Sequence, residues 1–156
     1  MKFNEFKMNL FLLLNKMIHL FSLLQVAIVI NTIYQLQKSP QYKTVFQYLL
    51  LPFILYSAIG HLLLSQKVAQ SIGWKSSPFQ LELGYFTLAL FLVGYYSLVT
   101  NKSETTLRTL GNVWLLFIFM ASVNHIREII FQKNYSFNNV YPIGVTAVTS
   151  YFLLRY

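Results

Sequence analysis

The 156-residue sequence contains no cysteine and only four acidic residues, none of which is aspartate. Without cysteine the chain forms no disulfide, and thiolate metal sites, iron–sulfur clusters and covalently attached c-type haem are all excluded. Carboxylate chemistry is confined to Glu5, Glu82, Glu104 and Glu128.

Charge of either sign is too scarce for an ordinary soluble surface. A soluble domain carries about 25% charged and about 45–50% apolar residues, whereas this chain has 10% charged and 56% hydrophobic residues. The bilayer therefore serves as the solvent for much of the chain, which excludes a cytosolic enzyme, an intrinsically disordered chain and a secreted module. The net charge of +8 is scattered through links between apolar runs, which suits anionic lipid head groups rather than nucleic acid.

Long apolar runs are abundant, and about 20 residues of helix cross about 30 Å of hydrocarbon. We predict an all-α integral membrane bundle of five transmembrane helices, with four as the alternative, in a single domain over residues 1–156. The expected helices lie at about 9–34, 46–65, 78–99, 108–132 and 140–156. Short links make neighbouring helices antiparallel. The N-terminal run is interpreted as a membrane anchor rather than a cleaved signal peptide, because Lys16 interrupts it.

The third expected helix has a clear start signal. Ser77 is expected to cap the helix, Pro78 to take the first helical position and Gln80 to reach back to the cap. Glu82 follows near the positive end of the helix dipole, which favours a carboxylate.

Ionisable residues within the expected spans collect in one leaflet, because the second helix ends, the third begins and the fourth ends on the same side. At 1.5 Å per residue, His61 and Glu82 lie roughly 6 Å deep, while His125 and Glu128 lie about 10 and 6 Å from the end of their helix. His19 enters the membrane from that side too and is interpreted as a wet surface histidine. Ionisable groups inside a membrane are candidates for function.

His125 and Glu128 are three residues apart and project from one helix face. Together with His61 and Glu82 they form a candidate shell for iron, manganese or zinc. A proton, substrate or quinone site is a second interpretation. The third is a structural network, in which Glu82 pairs with a histidine and Glu128 with a nearby basic side chain.

Small and amide side chains are expected to shape helix packing. Gly84 and Gly111 let helices approach closely, and Asn112 and Asn124 are expected to form hydrogen bonds between helices.

The stretch from Gly73 to Gly84 resembles the signature of an uncharacterised family of small bacterial polytopic membrane proteins. The pattern is Gly-Trp, a three-residue spacer, and Pro-Phe-Gln-x-Glu-x-Gly at the start of a helix. A histidine in the preceding helix and an Asn–His pair in a later one accompany it. The resemblance implies a ligand-binding site formed by His61, Gln80, Glu82, Asn124 and His125. The architecture is also similar to DoxX-like four-helix membrane proteins, some of which are linked to quinone-dependent oxidation.

The sequence favours a binding or accessory protein of a bacterial inner membrane, with a small lipophilic ligand or a partner subunit held at the His/Glu layer. The alternative is a membrane-embedded oxidoreductase that uses a metal ion or a quinone at the same layer. A purely structural layer is the third interpretation. The expected partners are membrane lipids and either a homo-oligomer or a partner membrane subunit, with no nucleic acid.

Overall fold

The computed structural model describes residues 23–156, and this part of the chain is helical and contains no strand. Its six helices are α1 over 23–38, α2 over Tyr42–Leu63, α3 over Ser65–Ile72, α4 over Phe79–Val99, α5 over Glu104–Gln132 and α6 over Phe137–Arg155. Within α2, a π-helical turn at Phe46–Leu50 joins two α-helical segments. The predicted all-α class is confirmed.

Three of these helices are long and apolar enough to cross a membrane, namely α2, α4 and α5, with 22, 21 and 29 residues. At 1.5 Å per residue each exceeds the ~30 Å of a hydrocarbon core. This finding is compatible with a multi-pass membrane protein. The expected count of five is not confirmed: α6 is not among the three, and the N-terminal part of the expected helix at 9–34, like His19, lies outside the described residues.

Helix α2 forms the centre of the packing. Five of its side chains are completely buried, namely Val45, Phe46, Leu49, Leu50 and Ile54. Half of its most apolar stretch is buried, compared with 28% for α4 and 22% for α5. Pro52 lies inside this helix without breaking it, since the wider π turn directly precedes the position where the proline ring removes a hydrogen-bond donor.

Helix α5 begins at Glu104, four residues before the expected start at 108, and a local capping signal explains the difference. The Ser103 hydroxyl accepts a hydrogen bond from the Thr106 backbone N–H at 3.3 Å. One turn later, Arg108 Nε donates to the Glu104 carboxylate at 2.8 Å. A serine cap followed by an acid in the first turn stabilises a helix start.

Helix α3 occupies a segment that the sequence analysis assigned to a short link. It ends at Gly73, whose φ of 87° lies in the left-handed region. Glycine adopts this conformation without a steric penalty and commonly ends helices in this way. The resulting turn carries Trp74 away from the axis of α3 and toward α5.

At the opposite end of the bundle, α2 and α5 approach closely at Gly111. A methyl group there would overlap the Tyr42 hydroxyl and lie 3.1 Å from Leu50 Cδ1. The Tyr42 hydroxyl donates to the Leu107 carbonyl at 3.4 Å, and the Arg108 guanidinium lies 4.3 Å from the centre of the Tyr42 ring. Gly111 therefore makes room for a tyrosine that is held from two sides.

We predict that Gly111→Ala lowers the free energy of unfolding by about 1–3 kcal/mol, because the added methyl group overfills a packed contact. Gly144→Ala is the matched control, since a methyl group at Gly144 meets no atom of the described neighbouring residues within 4 Å. That control should leave stability unchanged or raise it slightly, as alanine favours helix more than glycine does. Thermal unfolding in detergent, followed by circular dichroism, measures both. Equal midpoints for the two variants would contradict the close approach.

Candidate functional site

The candidate site lies where five helix ends meet on one side of the bundle. Here α2 and α3 end, α4 begins, α5 ends and α6 begins. Side-chain hydrogen bonds join these elements, among them His61 to Gln80, His125 to Asn139, and Asn134 to the carbonyl of Ile72. The convergence of His61, Gln80 and His125 at one end agrees with the expectation that their helix ends lie on the same side.

His61 on α2 is bound to Gln80 in the first turn of α4. Its Nδ1 lies 2.6 Å from Gln80 Oε1, and Gln80 is buried. Because an amide oxygen only accepts hydrogen bonds, this geometry puts the proton on Nδ1 and leaves the Nε2 lone pair open. Gly84, one turn further along α4, allows the close approach, since a methyl group there would lie 2.6 Å from Leu62 and 3.2 Å from His61 Cβ.

His125 on α5 is held in the same way by Asn139 on α6. Its Nδ1 donates to Asn139 Oδ1 at 2.8 Å, and Asn139 is completely buried. The amide nitrogen of Asn139 donates to the His125 carbonyl at 3.3 Å and to the Asn134 carbonyl at 2.8 Å. Asn139 thus uses both ends of its amide, fixing one ring and two carbonyls with a single neutral side chain.

Asn134 ties the α5–α6 turn to the end of α3. Its Nδ2 donates to the Ile72 carbonyl at 2.5 Å, and its Oδ1 accepts from the Ser136 N–H at 3.3 Å. A methyl group on Gly73 would lie 3.2 Å from Asn134 Nδ2. Glycine at position 73 therefore serves both the left-handed turn and this contact.

Trp74 stacks on His125. The ring centres are 5.3 Å apart and the planes differ by 14°. The Trp74 Nε1 is buried without a hydrogen-bond partner, and His125 Nε2 likewise has none among the described residues. The stacked pair therefore offers one unpaired donor and one unpaired acceptor on adjacent rings.

The remaining candidates lie outside this network. Glu82 and Asn124 are exposed, and Glu128 is half-buried. Within the described residues the ion pair is between Arg108 and Glu104, at the other end of the bundle, and neither Glu82 nor Glu128 has a charged partner. Both buried histidine contacts are made with neutral amides, which carry no charge into a region of low dielectric constant.

The four proposed metal ligands are not gathered into one shell. Within residues 23–156 no group of three or more His, Asp or Glu side chains lies close enough to hold a metal ion. His61, Glu82, His125 and Glu128 share one end of the bundle, but their side chains do not converge on a point there.

The expected capping box at the start of α4 is wrong. Phe79–Val99 has Pro78 at its N-cap position and no side-chain cap hydrogen bond. Gln80 does not reach back to Ser77, because its side chain is buried against α2 and binds His61 instead. A contact between helices has replaced the local one.

Sequence reasoning missed Trp74 and Asn139. Both positions fall in expected links, Trp74 before the expected helix at 78–99 and Asn139 before the one at 140–156. A usable signal existed for Asn139, which shares a buried helix face with Thr146 and Thr149 at helical spacing. For Trp74 no local pattern indicates that the turn at Gly73 directs its ring toward His125.

Residues 8–155 match the profile of a family described as a family of unknown function, DUF6790. No curated protein and no solved structure matches the chain.

We predict that Asn139→Leu lowers the free energy of unfolding by about 2–4 kcal/mol, because it leaves the His125 ring and two carbonyls without their partner. Asn138→Leu is the matched control: it is the same change at the neighbouring position, where no side-chain hydrogen bond forms within residues 23–156. Denaturant unfolding in mixed micelles measures both variants. Similar losses in the two would show that the Asn139 amide contributes nothing specific.

Proposed function

The chain belongs to the DUF6790 family of unknown function. We propose a function for it that is based on the polar groups of the Trp74–His125 pair. The chain is an integral protein of the bacterial cytoplasmic membrane that binds a lipophilic ligand with a hydroxyl or carbonyl head group. Trp74 Nε1 donates to the head-group oxygen, and His125 Nε2 accepts the hydrogen of a hydroxyl group.

The observation that carries this proposal is the buried N–H of Trp74 beside an imidazole nitrogen, neither of which has a hydrogen-bond partner in residues 23–156. A buried donor without a partner costs about 1–3 kcal/mol, and a ligand oxygen would remove that cost. Trp114 also has an unpaired buried Nε1, but its ring packs against Phe117 with no histidine beside it. The imidazole acceptor beside Trp74 therefore distinguishes this position from Trp114, whose indole N–H is buried in the core without an acceptor beside it.

Preorganisation supports the same interpretation. Asn139 fixes the tautomer and orientation of His125 without a ligand. Because ligand binding then costs no entropy for ordering that ring, the affinity for the ligand is higher. His61, held by Gln80, provides a second imidazole with an open Nε2 at the same end of the bundle.

A groove beyond His125 in the chain is the proposed approach from the membrane surface. It has a volume of 460 Å³ and lies on the last turns of α5, lined by Arg127, Glu128, Phe131 and Gln132. Gln132 follows His125 by seven residues and therefore lies on the same helix face. In the proposal, a ligand enters along this face, with the charged groups at the level of the lipid head groups.

The proposed topology adds two spanning helices to the three long apolar ones, for a total of five. One corresponds to the expected run at 9–34 and the other to α6. The polar residues of α6 support this, because they face the protein: the hydroxyls of Ser122 and Thr146 lie 2.7 Å apart between α5 and α6, and Thr149 is completely buried. Polar groups turned inward are compatible with a helix in lipid.

Trp74→Phe tests the ligand proposal, since it removes the indole N–H but keeps an aromatic ring to stack on His125. We expect the small molecules that copurify in mild detergent to fall at least about tenfold in this variant, as a hydrogen bond worth about 1.4 kcal/mol changes affinity tenfold. Extraction followed by mass spectrometry quantifies them.

Trp114→Phe is the matched control, because it removes an equally unpaired indole N–H elsewhere. It should retain the copurifying molecule at the level of the native protein. Equal retention in Trp74→Phe and Trp114→Phe, or no bound molecule in the folded native protein, would overturn the proposal.

A redox role at the same layer is the second candidate. Both histidines donate Nδ1–H to an amide oxygen and keep Nε2 open, which is how metal-binding histidines are commonly oriented. This redox function requires iron or manganese in near-stoichiometric amount, or a bound quinone, since zinc has no redox chemistry.

Elemental analysis of the detergent-purified protein, beside a His61→Ala/His125→Ala variant, tests the metal form. Iron or manganese that is present in the native protein and lost in the variant would favour the redox role. A folded, monodisperse native sample without metal above background would remove it.

A further inference from the structure

The groove on the last turns of α5 contains a cation and an anion that the described part of the chain leaves unpaired. Arg127 is exposed and Glu128 is half-buried. Within residues 23–156 neither side chain has a hydrogen bond or an ion pair, since the ion pair there joins Arg108 and Glu104. Consecutive residues of a helix do not face each other, so the two charges do not neutralise one another. The groove therefore presents two separate charges of opposite sign to its occupant.

The length of α5 sets the depth of these charges. Its 29 residues at 1.5 Å each give about 43 Å, which matches the thickness of about 40–45 Å of a bilayer with its head groups. The middle residue is Ile118, and Arg127 and Glu128 follow it by nine and ten residues. With α5 centred and upright, they lie about 14 and 15 Å from the midplane, where a hydrocarbon core of about 30 Å ends.

The distribution of charge along α5 supports this placement. Between Arg108 and Arg127 the sequence has no lysine, arginine, aspartate or glutamate. Arg108 precedes Ile118 by ten residues, and Glu128 follows it by ten. Charged side chains thus mark both boundaries of the hydrocarbon core at equal distances from the middle. The groove therefore lies at the depth of the phosphate and amine groups of lipids.

We propose that the groove binds the head group of a zwitterionic glycerophospholipid, with the phosphate on Arg127 and the ammonium group on Glu128. A guanidinium binds phosphate oxygens through two parallel hydrogen bonds, and a carboxylate accepts charge-assisted hydrogen bonds from an ammonium group. An anionic head group without an amine would leave Glu128 beside a negative charge. An uncharged head group would leave both side chains without a partner.

A second groove shows that opposite charges are a property of this site and not of every groove on the protein. It lies at the other end of the bundle, where α1 ends and α2 begins, and has a volume of 230 Å³. Its lining includes Lys38 and Lys43 and no carboxylate. The groove on α5 is therefore distinguished by its combination of a cation with an anion.

This inference rests on the proposed function for the path of the ligand, and it names the ligand's chemical class. Glu128 and Gln132 follow His125 by three and seven residues and lie along the same side of α5. His125 lies about 4.5 Å deeper than Glu128. The ester carbonyls of a glycerophospholipid lie on the hydrocarbon side of its phosphate, so an ester carbonyl is the oxygen that Trp74 Nε1 binds.

Competition between two lipids with identical acyl chains tests the head-group site. Phosphatidylethanolamine and phosphatidylglycerol both carry a phosphate, but only the former carries an amine. Native mass spectrometry of the detergent-purified protein should show about threefold tighter binding of phosphatidylethanolamine, as an exposed ion pair contributes about 0.2–1 kcal/mol. Glu128→Gln should remove this preference. Equal binding of the two lipids by the native protein, or an unchanged preference in Glu128→Gln, would overturn the proposal.

Arg127→Gln tests the phosphate contact and should weaken both lipids by about threefold, because both carry the phosphate. Lys75→Gln is the matched control: it removes a positive charge from an exposed position at the same end of the bundle, outside the groove. Both lipids should bind this control as they bind the native protein. Equal affinities in Arg127→Gln and Lys75→Gln would contradict the assignment of the phosphate.

Trp74→Phe separates this inference from the proposed function. It should weaken both lipids to the same degree and keep the preference, because the two lipids have the same ester carbonyls. Unchanged binding in Trp74→Phe, with the preference lost in Glu128→Gln, would overturn the indole contact but support the head-group site. Weaker binding in Trp74→Phe, with the preference intact in Glu128→Gln, would overturn the head-group site alone.

Discussion

The hydrogen bond between an imidazole and a neutral amide is the interaction on which one end of this bundle depends. His125 and Asn139 form it between α5 and α6, and His61 and Gln80 form it between α2 and α4. In hydrocarbon a charged pair loses much of its attraction to desolvation, whereas a neutral pair satisfies donor and acceptor without that loss. Four helix ends are joined in this way without a buried charge.

These bonds also determine what the site can offer. Because each amide oxygen takes the Nδ1 proton, both rings keep Nε2 as an acceptor and neither requires a carboxylate to orient it. Glu82 is free to lie on the surface as a consequence. The polar layer is therefore an arrangement of neutral donors and acceptors, with no carboxylate among them.

The sequence predicted the parts of the molecule that depend on periodicity and length. The apolar runs around 46–65, 78–99 and 108–132 overlap the three long helices, and the positions of His61 and His125 near helix ends followed from those runs. The hydrogen-bond partners of the two histidines did not follow from the sequence, because helix depth alone does not distinguish an amide from a carboxylate at a similar depth. Only the packing of α6 against α5 shows that His125 meets Asn139, and only the left-handed turn at Gly73 brings Trp74 onto its ring.

The π-helical turn at Phe46–Leu50 has a consequence for the angular phase of α2. Such a turn is equivalent to one residue inserted into an α-helix, and one residue corresponds to 100° of rotation. Tyr42, which packs against Gly111, lies before the turn, and His61, which binds Gln80, lies after it. A regular α-helix of the same sequence would satisfy one of these contacts and rotate the other away. The π turn thus sets the rotation of the second half of α2 relative to the first, so that both contacts form. A homologue that loses one residue there must also change one of the two contacts.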